Sequence, residues 1–177
     1  MAPQLSNLEI LDRYEALGLD FLTWLVVESL RDTLEPPPSE PGLVVIAKGP
    51  LVLESPFGEA TKVTLAGDEA ANSPEFQTAL LQGKRVVRCK LEFTAQDATW
   101  LFTLDARTFD LKSMKLPVPK VADLNEYVSL RVQASQHVAH VLSELFDAFL
   151  LLRSDAERWP DVLGEWSEWI RRTIPFS

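Results

Sequence analysis

The sequence predicts an α+β domain, in which an antiparallel meander sheet is packed on one face by an N-terminal helix and a long C-terminal helix. The prediction depends on two changes of hydrophobic period. Apolar residues recur every three or four positions before residue 36, alternate with polar residues from residue 43, and return to helical spacing after residue 121. Prolines cluster at both changes. One block of strands between helices is typical of an α+β layout with one sheet face covered.

Size and composition agree with a single globular domain. The chain has 177 residues, of which 46% are hydrophobic and 24% charged, and a domain of this length buries about 70% of its unfolded surface. We divide it into an N-terminal helical segment (1–35), a proline-rich linker (36–42), a sheet with one inserted short helix (43–120) and C-terminal helices (121–177).

The first helix is predicted over Ser6–Asp32, with a bend or break at Gly18 and an apolar stripe that includes Phe21 and Trp24. Four prolines between Glu35 and Gly42 end the helical region.

The strands follow in a regular series. Alternation predicts strands at Leu43–Lys48, Leu51–Glu54, Glu59–Ala66, Lys84–Thr94, Thr99–Ala106 and Phe109–Lys115, the first two forming a hairpin around Gly49-Pro50. Ser73 and Pro74 are typical of the N-cap and first position of a short helix, which we expect to end near Gly83.

Two helices close the chain. Leu124–Arg153 is predicted as one long helix with a wide apolar stripe: Tyr127, Val128, Val138, Val141, Leu142, Leu145, Phe146 and Phe149. Pro160–Arg172 is predicted as a last helix with its tryptophans on one side. We expect Trp100, Phe102 and Leu104 to pack against the long helix at Leu142, Leu145 and Phe149, with Phe21 and Trp24 nearby.

Strand alternation also predicts which charged side chains reach water. Val87, Cys89, Leu91 and Phe93 share one face of their strand, which places Arg88 and Lys90 on the other. Lys62 and Lys112 alternate in the same way with apolar neighbours. These four cations, Lys62, Arg88, Lys90 and Lys112, make the water-facing side of the sheet mostly basic.

The distribution of charge supports a basic sheet. The net charge is −9, yet residues 84–120 hold eight Lys or Arg and four Asp or Glu, which is +4. A basic surface attracts phosphates. The alternative is a solvated sheet face whose lysines discourage edge pairing.

Signatures of enzymes are absent from the sequence. It has no glycine-rich phosphate loop, GxSxG or HExxH motif, and Cys89 falls on an apolar face, where we expect a buried and unreactive thiol. His137, His140 and Glu144 share the spacing of a metal site on one helix face, but the neighbouring apolar stripe explains the histidines without a metal. Asp105 and Asp110 flank a turn, where aspartate commonly bonds the local backbone. We expect no enzyme activity, no catalytic or metal site and no small-molecule cofactor.

The single cysteine favours a reducing, cytoplasmic location. Residues 1–7 lack the basic start of a targeting segment, and the apolar run at residues 21–27 is too short for a membrane helix. We expect no contact with a membrane.

Three segments of the strand region carry a family resemblance: Gly83–Phe93, Thr99–Asp105 and Leu111–Pro117. Together they resemble the C-terminal half of the RdgC family of recombination-associated proteins, and Phe21–Leu25 resembles a motif of short members of that group. The resemblance, which spans about residues 17–155, implies a non-enzymatic, nucleoid-associated protein. Such a protein binds duplex DNA with little sequence preference, forms a ring-shaped dimer and limits recombinase filaments.

Two features depart from the family pattern. The family's long N-terminal half has no counterpart among these residues, and its lysine-rich segment after the third strand is replaced by Ala66-Gly67-Asp68-Glu69. The hypothesis is a DNA-associated protein that modulates recombination and forms a homodimer or binds a protein partner. Its candidate DNA-binding residues are Lys62, Arg88, Lys90 and Lys112. The alternative is a protein-interaction module on the same scaffold without DNA binding, which the net charge favours.

Overall fold

The computed structural model describes residues 15–55 and 61–174. Its helices are α1 (Glu15–Leu30), α2 (Pro74–Leu81), α3 (Leu124–Arg153) and α4 (Arg158–Thr173), and a 3₁₀ turn spans Ala70–Asn72. Its strands are β1 (Val44–Glu54), β2 (Val63–Leu65), β3 (Arg85–Ala95), β4 (Ala98–Asp105) and β5 (Leu111–Lys115).

The five strands form one antiparallel sheet in the order β2-β1-β3-β4-β5. The helices lie N-terminal, inserted and C-terminal to the strands, which confirms the predicted α+β class. Alternate residues of β3 are buried, beginning with Val87 and Cys89 and ending with Ala95. This buried set defines the covered face of the sheet.

Helix α1 is the centre of the core. Its residues from Gly18 to Val27 are buried, apart from the half-buried Asp20, and it runs through Gly18 without a break, so the predicted break there does not occur. The Thr23 hydroxyl donates to the Leu19 carbonyl and accepts from the Val86 backbone N–H, both at 2.8 Å. These two hydrogen bonds join α1 to the beginning of β3 and satisfy the hydroxyl of Thr23, which is fully buried. Ser6–Tyr14, the beginning of the predicted helix, lie outside the described residues.

Aromatic rings join α1 to α3. The Phe21 ring centroid lies 5.1 Å from that of Phe146 and 5.6 Å from that of Phe149, and Trp24 lies 5.7 Å from Phe149. Phe102 and Leu104 belong to the same buried cluster as these rings. Trp100 also belongs to it, and its indole N–H donates to the Ala134 carbonyl of α3 at 3.1 Å.

The predicted hairpin at Gly49-Pro50 is wrong. The two segments form one strand, β1, and both pair with β3, with a register shift between Lys48 and Leu51. Gly49 donates its backbone N–H to the Gly67 carbonyl, and a Cβ built on Gly49 would lie only 2.1 Å from that oxygen. Glycine inside a strand often marks a bulge or a close approach of another backbone segment. Gly49 does both, which explains why Gly49-Pro50 resembles a turn in the sequence.

Side chains cap the starts of α2 and α3, and the cap of α2 is the predicted one. Ser73 accepts from the Phe76 N–H at the start of α2, and Pro74 is its first residue. Asp123 caps α3 by accepting from the Glu126 N–H at 3.0 Å, and α3 has the predicted bounds.

Within the described part of the chain, no helix has the length and apolar character needed to cross a membrane.

Candidate nucleic-acid interface

The open face of the sheet carries a transverse row of lysines. Pairing sets Lys48 of β1 beside Lys90 of β3, Lys90 beside Thr103 of β4, and Thr103 beside Lys112 of β5. With neighbouring strands about 4.8 Å apart, this row spans about 14 Å at the backbone. We call Lys48, Lys90 and Lys112 the lysine row.

Lys48 is the member of the row that is already paired. Its Nζ lies 2.8 Å from a carboxylate oxygen of Glu92, and this hydrogen bond raises the pKa of Lys48. Glu92 is two residues from Lys90 on the same face of β3. One carboxylate therefore offsets part of the positive charge of the row.

Arg88 is paired in a similar way with Asp105, at 3.3 Å. Burial alone would raise the pKa of Asp105, but the Arg107 backbone N–H and the Arg88 guanidinium outweigh it and lower that pKa. Asp105 therefore remains ionised at neutral pH and pairs with Arg88. Arg88 lies two residues before Lys90 in β3, on the same face of the sheet. As expected, this aspartate also bonds its local backbone.

The other predicted contact residues occupy unequal positions. Lys90 and Lys112 lie in the row, and within residues 15–55 and 61–174 neither makes an ion pair. Lys62 is exposed immediately before β2, whose register with β1 places it beyond the row, opposite Glu54. The structure therefore brings Lys90, Lys112 and Arg88 together and leaves Lys62 at the far edge.

Sequence reasoning missed Lys48, the fourth cation of this group. Its signal was the alternation of β1, in which Val45 and Ala47 are buried while Val44 and Ile46 are exposed. That parity puts Lys48 on the open face. The mistaken hairpin hid its position beside Lys90, because the partner of a strand is decided by the pairing of the whole sheet.

The open face offers phosphate contacts rather than base stacking. The sheet's aromatic residues Phe93, Trp100 and Phe102 are all buried on the covered face. The described strands present no aromatic side chain on the open face. Single-strand binders stack bases on aromatic side chains, so this face lacks the element that would favour unpaired bases.

An acidic depression borders the β2 side of the sheet. It has a volume of about 570 Å³ and includes Asp68, Glu69 and Glu75 in its lining. The acidic segment noted in the sequence therefore adjoins the strand farthest from β5. After the Glu92 hydrogen bond, the Coulombic attraction of Asp68 also raises the pKa of Lys48, so this acidic segment acts on the β1 end of the lysine row.

The residues considered for other chemistry have structural partners. His137 lies 2.7 Å from Glu40 of the linker, and the Ser39 hydroxyl bonds Glu144, whose carboxylate is also 3.7 Å from His140. In the described ranges no group of His, Cys, Asp and Glu is arranged to hold a metal ion. Cys89 is fully buried, and burial raises the pKa of its thiol to about 12.

No protein-family model matches the sequence, and neither the curated proteins nor the solved structures contain a significant match to it.

Proposed function

We propose that the protein binds duplex DNA without sequence specificity through the open face of its sheet, and that it acts in this way on recombination. The observation that carries the proposal is the lysine row: three cations on three strands in one line, with Arg88 beside them. The sequence resemblance to the RdgC family points in the same direction.

The chemistry of the face supports contact with the phosphate backbone. Lysine acts as a point charge for phosphate, and contacts with phosphate oxygens carry no sequence information. Because Glu92 holds Lys48, three phosphates neutralised by Lys90, Lys112 and Arg88 give a slope of about −2.7 in log K against log salt. Because the whole molecule carries −9, we expect weak binding that is lost quickly as salt rises.

The test is a double charge reversal, K90E/K112E, measured by fluorescence anisotropy with a labelled duplex across a salt series. These two cations have no ion pair to lose among the described residues, so the fold is preserved while the row becomes negative. We expect binding to disappear. The matched control is R171E/R172E in the last turn of α4, which changes the net charge equally on exposed residues away from the sheet.

Two results would overturn the proposal. One is a parent protein that fails to bind duplex at low salt, and the other is a K90E/K112E variant that binds as well as the parent. A single strand of equal length serves as a further probe. Tighter binding to it than to the duplex would contradict a face without stacking residues.

A second candidate is a protein-interaction module. Val44 and Ile46 are exposed on the same face, next to the lysine row, and a mixed apolar and basic face suits an acidic protein surface. Absence of duplex binding, together with saturable binding of an acidic protein that K90E/K112E abolishes, would favour this candidate.

A further inference from the structure

Strand β5 contains a bulge. Its residues Lys112 and Lys115 are three positions apart, yet their partners in β4, Thr103 and Leu101, are only two positions apart. β5 therefore carries one residue more than β4 at this point, which is the mark of a β-bulge. Ser113 lies in the bulge with a φ of 53°, in the left-handed region that residues other than glycine seldom adopt.

The bulge changes the face on which Lys115 lies. In a regular strand, residues three positions apart lie on opposite faces, so Lys115 would lie on the covered face and Lys112 on the open one. Directly paired residues share a face, and both Thr103 and Leu101 belong to the open face of β4. Lys115 is accordingly exposed, and Met114 beside it packs against the buried core. Both lysines of β5 therefore lie on the open face.

Lys115 joins two other cations that lack a carboxylate partner. Among the described residues, neither it nor Lys90 nor Lys112 makes an ion pair. Lys112 lies two strands from Lys90, about 10 Å at the backbone, and about 7 Å from Lys115 along β5. We call Lys90, Lys112 and Lys115 the unpaired lysines. Their like charges repel one another, and a bound polyanion would relieve that repulsion.

We propose that Lys115 is a further phosphate contact of the open face, placed there by the bulge at Ser113. This inference rests on the proposed function. Lys90 and Lys112 are separated across the strands and Lys112 and Lys115 along one strand, so the contact extends in two directions. A phosphate backbone, with one charge about every 3.4 Å of axis on each strand, offers partners to all three. Bulges near functional sites commonly re-aim a side chain in this way, and left-handed residues concentrate at such sites.

The same residues could serve only to protect an edge of the sheet. β5 is an edge strand, and lysines and bulges on edge strands discourage pairing with another molecule. That role requires no contact between Lys115 and nucleic acid. The salt dependence of binding separates the two roles, because only a phosphate contact contributes to its slope.

The test is duplex binding by K115Q across a salt series, with K112Q as the reference. With Lys115 in contact, the parent slope should be about −3.6 rather than the −2.7 that the other contacts give, and K115Q should return it to about −2.7. From about 50 to 200 mM salt, affinity should then fall about 150-fold for the parent and about 40-fold for K115Q. K112Q should match K115Q. R171Q, at an exposed position of α4, is the control for net charge and should keep the parent slope.

The results separate this inference from the proposed function. A K115Q variant that keeps the parent slope while K112Q reduces it would overturn the role of Lys115 and leave the proposed function intact. A parent that fails to bind duplex at low salt would overturn both. Circular dichroism checks that each variant is folded.

Deletion of Ser113 tests the role of the bulge itself. It removes the extra residue and leaves Lys112, Met114 and Lys115 consecutive, so regular alternation keeps both lysines on the open face and the methionine in the core. We therefore expect the deletion variant to bind duplex with the parent slope. A folded deletion variant with the slope of K115Q would show that the bulge does not place Lys115 as proposed.

Discussion

Phe102 and Thr103 are neighbours in β4 that lie on opposite faces of the sheet. Phe102 is buried, with its ring 5.0 Å from that of Phe93. Thr103 stands on the open face between Lys90 and Lys112. The covered face is continuous with the helical core, and the open face carries cations held in part by two carboxylates. Since the same strands supply both faces, one residue step separates a core side chain from one on the basic face.

The largest change in unfolding free energy should follow from a substitution on the covered face. F102A removes a ring from a close-packed core, and such truncations cost about 3–5 kcal/mol of unfolding free energy. T103A, one residue away, should change stability by no more than about 0.5 kcal/mol. Chemical denaturation of the two variants measures the difference. Equal losses would show that the open face is also part of the stabilising core.

A second prediction concerns Cys89, at the centre of the covered face. Its pKa is about 12 in the folded protein and 9.0 for an ordinary thiol, so the folded state holds the thiol proton more tightly than the unfolded state. The stabilisation is complete below pH 9 and is lost as pH rises toward 12, by about 1.4 kcal/mol per pH unit.

The C89A variant isolates this contribution, because it lacks the thiol and leaves every other alkaline group in place. Its unfolding free energy should fall less steeply between pH 9 and 12 than that of the parent. Native parent protein should also resist thiol reagents at pH 8 until denaturant unfolds it. Rapid labelling of the native protein would contradict the burial of Cys89.

The smallest change in stability should follow from a substitution on the open face. E92Q removes the carboxylate that pairs with Lys48, which frees one more cation for phosphate. The salt slope should steepen by about 0.9 and duplex affinity should rise, while stability changes by less than about 1 kcal/mol, as for other partly exposed ion pairs. Unchanged duplex binding by E92Q would exclude Lys48 from the contact surface. E126Q, which removes an exposed acid on α3, is the control for net charge.

Local patterns were sufficient to predict most elements of the fold. Ser73 followed by Pro74 is a signal contained within two residues, and α2 begins where it stands. The helical spacing predicted the bounds of α3, whose Asp123 cap is a finding of the structure. The alternation of β3 correctly separated Cys89 from Arg88 and Lys90. These features depend on backbone geometry over a short stretch, which the sequence itself specifies.

Tertiary structure decided which segments meet. Gly49-Pro50 has the composition of a turn, but pairing of both halves of β1 with β3 made it a bulge in one strand, and that register placed Lys48 beside Lys90 and Glu92. Val128 has the helical spacing of a core residue but lies in water, because the buried contacts of α3 begin at Val138. The sequence alone determined the elements and the two faces of each strand, since neighbouring residues control both. The composition of the lysine row and the exposure of Val128 depend on contacts between distant segments, and these are set only when the whole sheet and its helices pack.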